Sequence, residues 1–362
     1  MSAHAAVARR ATIKDVARRA GVSMMTVSRV LNREAFVADA TRATVERAIR
    51  DLNYVPNSAA KALALTRHAH RIAFLFDTPN ATILGDMVSA VLEEPARPEI
   101  RLTFMRVRGD ADLGATVEAL GNQGVQGVVL SPPLCDDVRL RIVLARAGIR
   151  FVAAGCSDVD PGFSAIGIDD RRAAHELTRY LLELGHRRIG LIAGHARHRS
   201  STRRRAGFEE ALRIFDMSPD DRLCWQGDYS FGTAIGIAEQ ALSMEPPLTA
   251  IFASNDDMAA AVISVARGRG IAVPRVLSVC GFDDSEIARM MSPQITTVSQ
   301  PLGAMAAWAV AQLAGELDAV AQGEEPVIRK VLLEHSIAYR GSDAPPPGID
   351  AVPASSSERQ TR

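Results

Sequence analysis

Two sets of residues in this chain could do chemistry. In residues 24–32, MMTVSRVLN, a helical period puts Val27, Val30 and Leu31 on an inner face. The outer face is then Met24, Met25, Thr26, Ser28, Arg29 and Asn32. Hydroxyls, an amide and a guanidinium on one short helix are the groups that reach phosphates and base edges in a DNA groove. Arg29 is the candidate for a bidentate guanine contact, with a simple phosphate contact as the alternative. Thr26 and Asn32 suit phosphate contacts or capping. Methionine reads no hydrogen-bond edge, so Met24 and Met25 either pack on thymine methyls or leave the reading to others. The second set stands after apolar runs further along: Asp77, Thr78 and Asn80, then Arg203, Arg204 and Arg205, then Asn255 and Asp256, then Asp283 and Asp284. Carboxylates, amides and a guanidinium beyond the carboxyl ends of strands could hold a hydroxylated small molecule. Plainer roles exist for several. Asp256 and Asp284 read as helix caps, His195, His198 and part of the arginine run as a solvated loop, and His186 as a structural turn residue.

The first set needs a short helix held against others. Thr12 and Asp15 have capping-box spacing, and Val16, Ala17 and Ala20 follow at helical spacing. Gly21 can take the positive φ that ends a helix, Val22 returns to the core, and Ser23 suits the N-cap of the next helix. Two short helices about a glycine turn, the second basic outside, describe a helix-turn-helix; an αα-hairpin of another helical domain is the alternative. Residues 39–52, DATRATVERAIRDL, predict a third helix with Val45, Ala48, Ile49 and Leu52 on one face. Three such helices make a core of marginal stability. Pro56 stops the pattern, and residues 57–64, NSAAKALA, have an Asn N-cap but are too short to be helical alone.

The second set needs strands. Apolar runs at 71–76, 101–106, 125–130, 149–153, 188–193, 249–253 and 276–280 alternate with helical patterns at 83–93, 112–122, 137–147, 170–184, 203–215, 231–244 and 257–269. That alternation predicts parallel sheets covered on both faces, in a series long enough for two. At 362 residues the chain is expected to hold two or three domains.

Formal charge is zero overall but unevenly placed. Residues 1–67 hold twelve Lys/Arg against five Asp/Glu, and the remainder thirty against thirty-seven. A basic head on an acidic body localises phosphate binding to the head. The N-terminus has no apolar signal core and no run approaches a membrane span, which fits a cytoplasmic protein without membrane contact. Four scattered cysteines (135, 156, 224 and 280) are read as reduced, buried thiols rather than disulfides or a metal site. No nucleophile elbow, P-loop, dinucleotide fingerprint or metal-spaced His/Cys cluster is present, so an enzyme is not expected, and no cofactor is called for.

The strings IKDVARRAGVSMMTVSRVLN and TRATVERAIRDLNYVPNSAAKALA, within residues 12–65, resemble the head of the LacI/GalR family of bacterial transcriptional regulators. A weaker likeness continues in order to about residue 342. The resemblance implies an N-terminal all-α helix-turn-helix head plus hinge helix, followed by an α/β two-lobed effector domain like the periplasmic binding proteins. The implied divisions are an arm at 1–11, read as disordered; the DNA-binding head at 12–56; hinge helix and linker at 57–67; the effector-binding and dimerisation domain at 70–342; and a Pro/Ser-rich tail at 343–362, read as disordered and lacking a leucine heptad. Lobe one would take about 70–168 and 300–325, lobe two about 170–298 and 328–341. The chain would cross between them near 168–170, 298–301 and 325–328.

By the same resemblance Met24 and Met25 occupy the family's main specificity positions. The hinge would order on operator DNA, with Leu63 as a minor-groove wedge and Ala60 and Lys61 facing the groove. The implied DNA-facing set is Thr12, Ser23, Met24, Met25, Thr26, Ser28, Arg29, Asn32, Tyr54, Asn57, Ala60, Lys61 and Leu63. For the effector it is Arg204, Asn255 and Asp283, with Tyr229 stacking on the ligand, Asp77, Thr82 and Ile83 on the first lobe, and Gln300 at a crossover. The entry DTPNATILG is less aromatic than the family's usual one, and Thr202 stands where sugar regulators often have a second arginine. Together these imply a homodimeric repressor of double-stranded operator DNA, controlled by a sugar-like effector. An architectural DNA-bending protein with an unresponsive body and a sugar-binding module without DNA function are the alternatives.

Overall fold

The computed structural model describes residues 11–31, 37–52, 54, 69–77, 81–93, 100–108, 112–156 and 162–348, with side chains in the first body helix described from Ile83 onward. The chain forms two compact units, Met1–Ala69 and His70–Arg362.

The first unit is three helices: α1 (Ile13–Ala20), α2 (Met24–Leu31) and α3 (Asp39–Asp51). Its local signals act as their chemistry requires. Asp15 N–H donates to Thr12 Oγ1 at 3.3 Å, and Thr12 N–H to Asp15 Oδ2 at 3.0 Å, closing the capping box. Gly21, at φ 65°, donates its N–H to the carbonyls of Ala17 and Arg18 and turns the chain. Ser23 Oγ accepts the Thr26 N–H at 3.1 Å and starts α2. Val16, Ala17, Val27, Val30, Val45 and Ala48 form the core, with Ile49, Leu52 and Tyr54 packed against it. Arg19 donates to Asp51 at 2.9 Å, tying α1 to α3.

The second unit begins with β1 (His70–Phe76), α4 (Ala81–Glu93), β2 (Ile100–Arg106), α5 (Leu113–Asn122), β3 (Gly127–Leu130), a 3-10 turn (Leu134–Asp136), α6 (Val138–Arg146), β4 (Arg150–Ala154) and β5 (Ser164–Gly167). It continues with α7 (Asp170–Glu183), β6 (Ile189–Ala193), α8 (Arg199–Ile214), β7 (Cys224–Gln226), α9 (Phe231–Ala241), β8 (Ala250–Ala253), α10 (Asp256–Gly268), β9 (Ser278–Asp283), α11 (Glu286–Met290) and β10 (Thr296–Ser299). Last come α12 (Leu302–Ala321), β11 (Lys330–Leu332) and β12 (Ser336–Ala338).

These strands make two sheets, ordered β11-β5-β4-β3-β1-β2 and β12-β10-β9-β8-β6-β7. Among the described residues every strand pairing is parallel except that of β12 with β10. Strands buried on both faces need apolar runs rather than alternation, which is why GVVL and AIFA are fully buried. Helix α12 returns to the first sheet and packs on α4, β3 and β4. Helices α7 and α8 pack closely in the second lobe. Gly207 permits that approach, because a Cβ there would lie 2.0 Å from the Arg171 carbonyl oxygen.

Two expectations on boundaries need correction. The third crossing lies between β11 and β12, at 333–335 rather than 325–328, since β11 still pairs with β5 of the first sheet. Three residues of strand carry too little pattern to reveal which sheet they join. The segment 343–348, read as part of a disordered tail, is ordered against the second lobe. Ala344 accepts from His186 Nε2 and Ser278 Oγ, each at 2.9 Å, and Asp343 accepts from Tyr180 and Thr296. Composition suggested solvent, but these residues satisfy polar groups at the starts of β9 and β10. All four cysteines are free, and three are buried. Among the described residues no helix is long and apolar enough to cross a membrane.

Candidate functional site

On the head, Met24 and Met25 are 52% and 66% exposed at the start of α2. Arg29 is exposed on the same helix, with Thr26 and Ser28 half-buried beside it. Ser23 and Thr12 hold caps, and Tyr54 packs on the head core. Asn32, Asn57, Ala60, Lys61 and Leu63 lie outside the described residues.

In the body, a cleft of about 750 Å³, including its open mouth, lies at the carboxyl ends of both sheets. Its first-lobe wall is mostly apolar, from Ile83, Leu84, Met87, Pro132, Ile168 and Leu302, with Ser131 and Gly155 beside them. The facing wall is polar, from Asp170, His198, Ser200, Arg204, Tyr229, Asp283 and Gln300. The structure thus brings together Ile83, Arg204, Tyr229, Asp283 and Gln300 of the expected set.

Arg204, on the first half of α8, organises the polar wall. Its Nε donates to Asp170 Oδ1 at 2.7 Å, and its Nη1 donates to the Ser254 carbonyl and lies 3.6 Å from Asp283 Oδ1. Its guanidinium carbon stands 3.5 Å from the Phe282 ring centroid. Burial disfavours its charge, but Asp170, Tyr229 and Asp283 more than compensate, so its pKa rises above the usual arginine value. Asp283 ends β9 at φ 113° and accepts from Gln300 Nε2 at 2.6 Å. Burial lifts its carboxyl well above the ordinary range against the pull of Arg204, with Asp256 pushing the same way as burial. Tyr229 also has positive φ, 69°, and its hydroxyl is 3.2 Å from Ser200 Oγ. Two non-glycine residues held in this backbone region in one cleft mark strain kept for a site.

His198 does not sit in a solvated loop. It lines the cleft with its ring 5.0 Å from that of Tyr229, and burial, with His195 and Arg204 nearby, pushes it down to about 3, so it is neutral. Asp170, Ser200 and His198 had no sequence signal beyond polarity near a helix start. Asn255 is not in the cleft lining. It is fully buried, its Oδ1 capping α10 through Met258 N–H at 3.0 Å and its Nδ2 donating to the Tyr229 carbonyl at 3.0 Å. An asparagine after a strand serves as cap or ligand, and here it caps and holds the tyrosine loop. Asp77 is outside the lining as well, 3.9 Å from Arg106. Thr82 is in α4, where only the backbone is described. Asp284 pairs with Arg340 and Arg289 instead of capping.

Asp256 lies behind the cleft as the first residue of α10, not its cap. It accepts from Thr297 Oγ1 at 2.6 Å and from Ser285 N–H and Oγ at 2.8 and 3.0 Å. Burial raises its pKa to about 7 against these donors. The folded state therefore holds a proton that the unfolded chain releases near its ordinary value of 3.8. This contribution favours the fold below that value and is lost as pH rises through about 7. Asp256→Asn is expected to flatten the fall in stability between about pH 4 and 7. Urea unfolding across that range checks it, and an unchanged slope contradicts it.

The family of bacterial regulatory proteins known as lacI matches residues 12–57, and a periplasmic binding protein-like domain matches residues 178–342. The HTH-type transcriptional repressor PurR of Vibrio atlanticus (strain LGP32) is 32% identical, over 80% of this chain and 87% of the relative. The HTH-type transcriptional regulator CelR of Thermobifida fusca is 34% identical, over 81% and 88%. The lac repressor dimer bound to operator and the anti-inducer ONPF superposes with a TM-score of 0.72 at 27% identity, over 93% of this chain and all of that one. The CelR–cellobiose complex gives 0.67 at 29%, over 92% of this chain and all of that one. With head, lobes and cleft in place, this chain belongs to the lacI family: it is a DNA-binding transcription regulator with an effector domain, and not an enzyme.

Proposed function

We propose that this protein is a cytoplasmic, homodimeric repressor whose hold on operator DNA is set by a sugar or sugar derivative bound in the cleft. One observation carries the effector class. The buried Asp170–Arg204–Asp283 cluster, with Gln300 and Ser200, presents acceptors and donors at fixed spacing to one side of a ligand, while Ile83, Leu84 and Leu302 offer the other side mainly apolar surface. A sugar ring has both kinds of face. CelR, similar along most of its length, is a structure with cellobiose. The same apolar wall also suits a flat heteroaromatic base, which is the second reading.

Two heads would take adjacent half-sites of a near-palindrome, with the paired hinges inserting Leu63 at its centre. An effector that binds the two lobe arrangements unequally shifts operator affinity, and operator shifts effector affinity by the same factor. No cofactor is needed for this.

The test is fluorescence anisotropy on DNA from upstream of the protein's own gene, against competitor DNA, with pools of sugars and of purines. Specific binding altered by a sugar pool supports the reading; alteration by purines alone favours the second. Binding indifferent to sequence and to every pool overturns both. In the same assay Arg29→Ala is expected to weaken the specific site by about 1–3 kcal/mol more than competitor DNA. Equal loss on both would reduce Arg29 to a phosphate contact.

A further inference from the structure

Cys135 and Cys156 are far apart in sequence but meet at the cleft end of the first sheet. Cys135 lies in the 3-10 turn Leu134–Asp136, and Cys156 comes two residues after β4, the strand paired with β3. Both side chains are buried, and the Cys135 thiol shares a hydrogen bond with Cys156. The Asp136 carboxylate completes a trio: one Sγ from each cysteine and one carboxylate oxygen all lie within 4.8 Å of one another. Among the described residues no other three His, Cys, Asp or Glu ligand atoms come together in this way. Ser131, Pro132 and Gly155, close neighbours of the trio in the chain, line the cleft.

We propose that Cys135, Cys156 and Asp136 form a binding site for a thiophilic divalent cation of the Zn²⁺ class, set into the wall of the effector cleft. Tetrahedral sites with sulfur at about 2.3 Å and oxygen at about 2.0–2.2 Å keep their ligand atoms roughly 3.5–3.8 Å apart. A movement of about 1 Å closes this trio to that spacing. Three protein ligands leave a fourth position for water. Asp136 is half-buried where both thiols are buried, so the cation enters past the carboxylate.

The chemistry distinguishes a cation from an oxidant. Both thiols are buried, so neither is open to a peroxide arriving from solvent. A cation brings the charge that stabilises the thiolates as they form. Each S–H bond breaks as an S–metal bond forms, both protons pass to solvent, and no electron changes hands. Affinity therefore climbs with pH.

The site has a second consequence. Asp136 Oδ2 accepts the backbone N–H of Arg199, the first residue of α8 in the other lobe, at 3.1 Å. A cation drawing on that carboxylate competes with the amide and loosens one tie between the lobes. This gives the cleft an input separate from its organic effector, and it stands whether or not that effector is a sugar.

The experiment uses the reduced, metal-free full-length protein titrated with Cd²⁺, whose bonds to thiolate absorb in the ultraviolet. The expected result is a charge-transfer band saturating at one cation per chain with release of about two protons. Zn²⁺ should bleach it by displacement. Cys135→Ser and Cys156→Ser should each cut the band by at least about half and weaken binding by at least about tenfold, and Asp136→Asn should weaken binding by at least about tenfold while keeping the band. The wild-type titration is decisive without any variant: no saturable band overturns the site. A band that keeps its full intensity and affinity in both serine variants, folded by circular dichroism, places the metal elsewhere and overturns it equally.

Discussion

Replacing Arg204 with alanine is expected to lower the stability of the body by about 3–5 kcal/mol. Among the described residues the guanidinium is the only Lys or Arg lining the cleft, and it faces two carboxylates, Asp170 and Asp283, each with a side chain 4% exposed. Deleting one member of a buried ionic cluster leaves the others in low dielectric without a counter-charge, and that penalty exceeds the net worth of the pairs. The loss should appear in urea unfolding followed by tryptophan fluorescence, since Trp225 in β7 and Trp308 in α12 report one lobe each. Adding Asp170→Asn to the same chain should restore part of it, because the second change removes one orphaned charge. A loss below about 1 kcal/mol would show that the cluster does not carry the wall in the way its geometry implies.

Gly207→Ala is expected to cost about 3 kcal/mol or more, an unusual amount for one methyl group. The added Cβ would meet the Arg171 carbonyl oxygen at 2.0 Å and the His175 nitrogen at 2.9 Å, both backbone atoms that no rotamer change can move aside. Helices α7 and α8 must then separate. Asp170 begins α7 and Arg204 sits one turn before Gly207 on α8, so separation also stretches their 2.7 Å bond. The same variant should therefore lose both thermal stability and effector response. Retained operator binding with full response and an unmoved melting point would contradict this account.

What was legible in the sequence was what local chemistry decides. The Thr12–Asp15 box, the Gly21 turn and the Ser23 cap act over three or four residues, and all three form as their spacing implied. The seven longer apolar runs became strands because buried parallel strands carry their own apolar signal. The strands at 164–167, 224–226, 296–299, 330–332 and 336–338 were not read. Segments such as CWQ or TTVS have no period to detect and exist because a neighbouring strand pairs with them. The site divides along the same line. Arg204, Tyr229, Asp283 and Gln300 were found through family resemblance and do share one cleft. Asp170 and His198 were missed because each reads locally as a helix start or a polar loop, and only packing across α7, α8 and the Tyr229 loop gives them a place in the cleft wall. Asn255 lies outside the cleft lining for the converse reason: its side chain caps a helix and holds the Tyr229 loop.

The crossings between lobes bear on any attempt to retarget this regulator. Two of the three strands of chain that join the lobes also furnish the cleft: Ile168 and Asp170 bracket the first, Gln300 and Leu302 the second. The wall of the cleft and the joints between the lobes are built from the same few residues. Selecting for a new effector by randomising these positions is therefore expected also to reset how tightly the unliganded protein holds DNA. Leakiness and specificity would be inherited together, and libraries meant to separate them belong on Ile83, Met87 and Ser200, which line the pocket without joining the lobes.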